Sequence, residues 1–403
     1  MQVTNKAEAR NNNEFDDDGG DNYKVQCLVE QGFTPSLARS VILARSKEFL
    51  PLTIWLVDNS SSMTISDGQR LLETSSQDDV RVSRCTRWEE LQETVQYHAQ
   101  LAALLEAPTK FILLNNPDGQ FACPQEMSIA ERGPEWIQED LEALQQNVQK
   151  ISPNGVTPLT MHLHRIHRSI QHLQEKIVLV LATDGRPTDN FGYSSAEVDR
   201  AFENALREMQ SKAWVVVRLC TNEESILEYY QRLDNQMELS LEVLDDYLGE
   251  AKEVYSHNPW LTYSLSLHRC REMGMSSHSL HRWLDWLDER LLTRAEIHHV
   301  LQILGLIHWN KSPHSLDSPE EWKDFCLSLD KEQKYQQSQR NEKNRQVLPA
   351  FSPWNPIRKR PTPWIDVAKL RRYDAKDSSL GISLVIAVMI LAILLNFILD
   401  PTW

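Results

Sequence analysis

An aspartate and two serines, Asp58, Ser60 and Ser62, stand at alternate positions directly after the apolar run LTIWLV at 52–57. Alternate spacing where an extended segment enters a turn can aim all three side chains at one locus. Two further stretches have the same character. NGVTPLT places Thr157 just before Pro158, and IVLVLATDG ends in Thr183, Asp184 and Gly185. Hydroxyls and carboxylates without a histidine or cysteine partner suit a hard cation that takes oxygen ligands.

A second group invites comparison. MHLHRIHRSIQHL carries His162, His164, His167 and His172, with His164 and His167 three residues apart on an expected helix. No carboxylate or cysteine lies close by in sequence to complete a transition-metal site, so the group reads as a solvated helix face. A Mg2+-dependent hydrolase using His162 or His164 as general base is the enzymatic alternative, and it requires that base within reach of a metal-bound water. The chain shows no nucleophile motif, and the reading is of a protein that is not an enzyme.

The elements that must hold these residues alternate between strand and helix. Strands are expected at 52–57, 110–114, 177–182, 214–219 and 239–244, as short runs rich in Val, Ile and Leu. Helices fit 86–107, 135–150, 158–174, 195–211 and 222–233, the first opened by a Thr86–Glu89 capping box. This alternation predicts an α/β fold, a doubly wound and mostly parallel sheet. In such sheets ligands bind beyond the carboxyl ends of the strands, where Asp58 and Asp184 fall. Residues 64–85 read as a hairpin insertion that could overhang the serines.

Taken together, D-x-S-x-S (Asp58, Ser60, Ser62), the threonine of G-x-T-P (Thr157) and the aspartate of T-D-G (Asp184) resemble the metal-ion-dependent adhesion site of the von Willebrand factor A (vWA) family. The resemblance covers about 52–245. Ser61 stands where the family often has glycine, and the insertion after Met63 is a second departure. The resemblance implies a Rossmann-like domain binding Mg2+ or Mn2+, with Ser60, Ser62 and Thr157 as inner ligands and Asp58 and Asp184 as the carboxylates holding them and the waters. It also implies that an acidic group of a partner protein takes the remaining position.

The chain of 403 residues divides into a disordered acidic tail at 1–22, a helical hairpin at 23–50, the vWA-like domain at 51–245, a helical extension at 246–345, a poorly ordered, semi-extended proline-rich basic linker at 346–380 and a membrane helix at 381–399. Within the extension, SLHRWLDWLDERL reads as a helix burying Trp283, Trp286, Leu287, Leu291 and Leu292 on one face, and TRAEIHHVLQILG as a helix closed by Gly305. The hairpin loop Gln31-Gly32-Phe33 resembles the first loop of a ubiquitin-associated domain. The family's usual methionine is glutamine here and no third helix fits, so a plain hairpin packed on the next domain is expected, with ubiquitin binding as a side alternative. The formal charge of −15 argues against nucleic acid as a partner. Six dispersed cysteines without a C-x-x-C pair fit a reducing compartment.

GISLVIAVMILAILLNFIL at 381–399 has no charge and matches the hydrocarbon thickness of a bilayer. Its upstream flank, 358–377, carries seven basic residues against three acidic ones, a net +4. With no signal peptide read at the start, the expectation is a tail-anchored protein facing the cytosol, at the endoplasmic reticulum or another endomembrane.

Overall fold

The computed structural model describes residues 19–46, 50–73, 80–117, 123–237, 241–307, 318–342 and 352–372. Six strands form one sheet: β1 (Thr53–Val57), β4 (Thr109–Leu113), β5 (Glu126–Ile129), β6 (Ile177–Thr183), β7 (Ala213–Leu219) and β8 (Leu241–Leu244), in spatial order β5-β4-β1-β6-β7-β8. All pairings are parallel except that of β5, which runs antiparallel to β4 along the edge. Between them, β2 (Gly68–Glu73) and β3 (Val80–Cys85) pair as a separate antiparallel hairpin.

All five residues of β1 and all seven of β6 are buried, which is why Ile54–Val57 and Ile177–Ala182 run apolar without polar alternation, with threonine only at Thr53 and Thr183. One sheet face, through Ile54, Leu56, Leu179 and Leu181, packs on helices α5 (Leu159–Ser169), α6 (Ala196–Met209) and α7 (Glu224–Met237). The opposite face, through Trp55, Val57, Phe111 and Val180, packs on α3 (Arg87–Leu105) and α4 (Ile137–Lys150). The sheet is therefore covered on both sides. Helix α3 starts at the expected capping box, Thr86 Oγ1 accepting from Glu89 N and Glu89 Oε2 from Thr86 N. Helix α5 stops at Ser169, short of the expected 174, where Ile170 turns into the core. Strand β5 escaped the sequence reading because only Met127 and Ile129 alternate inward over four residues.

A second core lies outside the sheet. The N-terminal hairpin, α1 (Gly19–Glu30) and α2 (Pro35–Ala44), gives it Leu28, Phe33, Leu37 and Val41. From the extension come α8 (Tyr247–His257), α9 (Leu265–Glu272), α10 (Trp286–Glu289), α11 (Arg294–Ile303) and α12 (Pro319–Glu342), contributing Tyr247, Trp260, Trp283, Leu301 and Phe325. Leu101 of α3 joins the same cluster and ties it to the sheet's helical layer. The SLHRWLDWLDERL segment differs from its expected helix: Ser279–Leu284 is 3-10 and only Trp286–Glu289 is α-helical. The tighter turn buries Trp283, Leu284 and Leu287, while Leu291 faces solvent at 49% exposure. Helix α11 ends as expected, with Gly305 at the C′ position.

Part of the segment expected to be a semi-extended linker is folded. Short strands β9 (Trp354–Asn355) and β10 (Arg360–Pro361) pair, Leu261 bridges Ile365, and α13 (Val367–Arg372) packs on α12. The prolines suggested openness, but Trp364, Ile365, Val367 and Leu370 supply enough apolar surface to seat the strap. Trp364→Ala should accordingly lower stability by about 3–5 kcal/mol, as for other buried tryptophans. A urea midpoint within error of wild type would contradict the strap's structural role. The membrane helix expected at 381–399 lies outside the described residues. Among those described, no helix is long and apolar enough to cross a membrane.

Candidate functional site

Strand order reverses at β1, with β4 on one side and β6 on the other, and the predicted residues gather at the carboxyl ends of β1 and β6. Asp58 continues the β1–β6 ladder by donating its N–H to Ala182 O at 2.9 Å. Its Oδ1 accepts from Ser60 N at 2.8 Å, which folds the chain back as an Asx turn. Its Oδ2 accepts from Thr183 Oγ1 at 2.6 Å. Ser60 Oγ and Ser62 Oγ lie 3.1 Å apart, and Ser62 Oγ donates to Asp184 Oδ1 at 2.9 Å.

The third loop is fastened to the first. Asn154 N donates to Asn59 O at 2.8 Å, and Ser61 N to Gly155 O at 3.2 Å. Asn59 and Asn115 clasp each other, Asn59 Nδ2 to Asn115 O at 3.0 Å and Asn115 N to Asn59 Oδ1 at 2.8 Å. Asn115 then holds Val156 through both its N–H and its carbonyl. Gly155 adopts φ +84°, and a Cβ there would come 2.4 Å from Asn115 Oδ1, so only glycine lets the loop approach this closely. The Thr157 hydroxyl sits 4.0 Å from the position a Cβ on Gly185 would occupy, next to Asp184. All five predicted residues are thus brought to one place.

The electrostatics call for positive charge. Asp58 is fully buried, and its carboxyl is pushed up to about 6 by burial and by the charge of Asp184, against the hydrogen bonds from Thr183 and Ser60. Burial also raises Asp184, opposed by Arg87 and Ser62. Arg87, which sequence reasoning missed, is 2% exposed. It donates Nη1 to Asp184 Oδ2 at 2.9 Å, Nε and Nη2 to Asp67 at 2.7 Å, and Nη2 to Glu223 at 2.8 Å. It neutralises the outer oxygen of Asp184 and leaves the inner side to the serines. The donor set is all oxygen and fits a Mg2+ or Mn2+ ion. Ser62 donates its hydroxyl hydrogen to Asp184 and accepts from Ser60, which leaves a lone pair on each serine oxygen open toward a cation, and Asp58 orients Ser60 through the backbone.

A proton and any cation held at these carboxylates would therefore compete. A carboxyl raised in the folded state keeps its proton where the unfolded chain has lost it. This contribution to stability is present at low pH and is lost as pH rises from about 4 to about 6. A divalent cation held at these carboxylates would need the anion, so its affinity would fall by up to about tenfold per pH unit below 6. Titrations at pH 5 and pH 7.5 giving equal affinity would contradict this.

Other candidates sit elsewhere. His162 is buried, with Nε2 2.9 Å from Leu114 O, and burial lowers its pKa. His164 is exposed and meets Glu208 at 3.4 Å. His167 meets the Gln171 side chain at 2.8 Å. Neither proposed base contacts the cluster, and the expectation of a solvated face fails for His162 because it points back onto β4. The hairpin insertion docks its described rungs on α3, Gln69 N donating to Glu90 Oε2 at 2.8 Å and Arg70 pairing with Glu93, and its root reaches Arg87 through Asp67. The ubiquitin-associated-like loop is built into the protein. Phe33 is fully buried, Gly32 O accepts from Ser266 Oγ and Gln31 Oε1 from Tyr97. A further acidic group, Glu250, Glu253 and Asp288, has carboxylate oxygens within 4.8 Å of one another, but Arg271 already binds both Glu250 and Asp288.

No family model matches the chain, and no curated protein matches it. Among solved structures it is similar to the pilus adhesin SpaC from Lactobacillus rhamnosus GG, both in its open conformation and in another crystal form. Each match has 13% identity and a TM-score of 0.32, covering 48% of this chain and 28% of the adhesin. The matched region spans less than a third of the adhesin's length, and a likeness this slight carries no argument.

Proposed function

We propose that this protein is a membrane-tethered, doubly wound vWA-type binding module that uses Mg2+ at a metal-ion-dependent adhesion site to capture an acidic group of a partner protein. The observation that carries the reading is the convergence of Asp58, Ser60, Ser62, Thr157 and Asp184 from three loops into one all-oxygen cluster, buried except at half-buried Ser62, at the sheet's switch point. When bound, the ion would supply an electrophilic position for a carboxylate. Ser60, Ser62 and Thr157 would hold it, with Asp58 and Asp184 orienting those hydroxyls. Few direct anionic ligands would leave the ion able to attract a further one.

The test is capture of cellular proteins on the immobilised chain. Partners recovered with Mg2+ should be lost with EDTA and with Asp58→Ala, and retained by a His164→Ala, His167→Ala double variant. Recovery insensitive to EDTA would refute the reading.

The tether and a cytosolic orientation belong to the same proposal and rest on the sequence of 358–399. Asn59 adds support. It heads the sequon Asn59-Ser60-Ser61, yet its amide is buried and clasped to Asn115, so a glycan there is incompatible with this fold. Protease treatment of intact microsomes should digest an N-terminal tag without detergent; a protected, glycosidase-sensitive band would reverse the topology.

A further inference from the structure

The loop from β6 to α6 displays Phe191 and Tyr193 at 81% and 71% exposure, the most exposed large apolar side chains among the described residues. Looseness does not explain this. Asp189 Oδ1 accepts from both Phe191 N and Tyr193 N at 2.9 Å, Asp189 N donates to Tyr193 O at 3.0 Å and Gly192 N to Asp189 O at 3.1 Å. At the loop's start, the Arg186 guanidinium stacks 4.6 Å over Tyr229 and pairs with Asp199. A hydrogen-bonded backbone frame that carries two aromatic residues into water is preorganised for contact, because the loop's ordering is complete before a partner arrives.

The frame is joined to the cation cluster itself. Thr157 N donates to Thr188 Oγ1 at 3.1 Å, and Thr188 N returns to Thr157 O at 2.9 Å. Between the two aromatics, Gly192 has φ +87°, and a Cβ on it would lie 2.8 Å from Val156 Cγ1. The loop tip is therefore seated against the residue preceding Thr157, which sets Phe191 and Tyr193 on either side of the glycine packed there.

Resting on the cation reading above, we infer that Phe191 and Tyr193 form an apolar rim to the site. The partner it selects is then a protein segment whose acidic side chain is flanked by aromatic or large aliphatic residues. Charge complementarity through the ion would supply attraction, and the buried rings would supply discrimination between acidic partners.

The probe is a displayed library of linear peptides with one fixed central aspartate and randomised flanks, selected on the full chain in Mg2+. Recovery should require Mg2+, and aromatic or large aliphatic residues should be enriched within two positions of the aspartate. A Phe191→Ser, Tyr193→Ser variant should keep wild-type Mg2+ affinity and far-UV circular dichroism, yet bind the enriched peptide at least about tenfold more weakly. Flanks without apolar enrichment, or equal peptide affinity in the double variant, would overturn the rim while leaving the cation site standing. Failure of the wild-type chain to take up Mg2+ would remove the cation reading and the rim together.

Discussion

Glu272→Ala should destabilise the protein by about 3–5 kcal/mol, the cost of removing the buried carboxylate that Arg269 and Arg218 share. Glu272 closes α9 with no exposed surface and accepts from Arg269 Nη1 at 2.7 Å, with His98 Nε2 at 3.0 Å and Arg218 Nε at 3.5 Å. Burial opposes its ionisation, but Arg269, His268 and His98 outweigh it and hold the carboxyl well below its usual range. His98 itself is pushed down to about 4 by burial and stays neutral near pH 7. Arg218 stands on β7 and also binds Glu90 of α3, so this one carboxylate couples the sheet, its covering helix and the helical extension. Glu272→Gln should fall between wild type and alanine, since the amide oxygen still accepts but brings no charge. Urea unfolding measures both. A loss under about 1 kcal/mol for alanine would mean that the network contributes little, as exposed ion pairs do.

Arg87→Met should be comparably damaging, with a diagnostic difference. Removing the guanidinium strands buried Asp184 beside Asp58 and releases Asp67 and Glu223, an expected loss of about 3 kcal/mol in the absence of divalent ions. On the function proposed above, a bound cation would supply positive charge beside Asp58 and Asp184, so Mg2+ should recover part of that loss. At 100-fold excess over Kd the linkage contributes about 2.7 kcal/mol. Melting temperature against Mg2+ concentration should rise in both proteins, and from a lower base in the variant. A variant as unstable with Mg2+ as without it would break the link between Arg87 and the cation site.

What could be read from the sequence follows from the range of the forces involved. Strands β1, β4, β6 and β7 were visible because residues buried on both faces must be apolar, and that pattern is local. Asp58, Ser60, Ser62, Thr157 and Asp184 were visible because each breaks such a run or opens a helix. Arg87 was not, since its partners Asp67, Asp184 and Glu223 are 20, 97 and 136 residues away and it reads as one more position behind a capping box. His162 and the strap misled for related reasons. One histidine of a polar-looking group finds the Leu114 carbonyl just beyond β4, and prolines near Trp364 mark bends in a packed segment. Tertiary partners decided both, and composition carried no trace of them.

The central claim is most directly tested by isothermal titration of Mg2+ into the purified chain and its Asp58→Ala form, with far-UV circular dichroism confirming that both are folded. The wild type should take up one ion per chain saturably, and Asp58→Ala should show no saturable heat. Equal Mg2+ affinity in the two proteins, or none in the wild type, would contradict a cation site at the ends of β1 and β6.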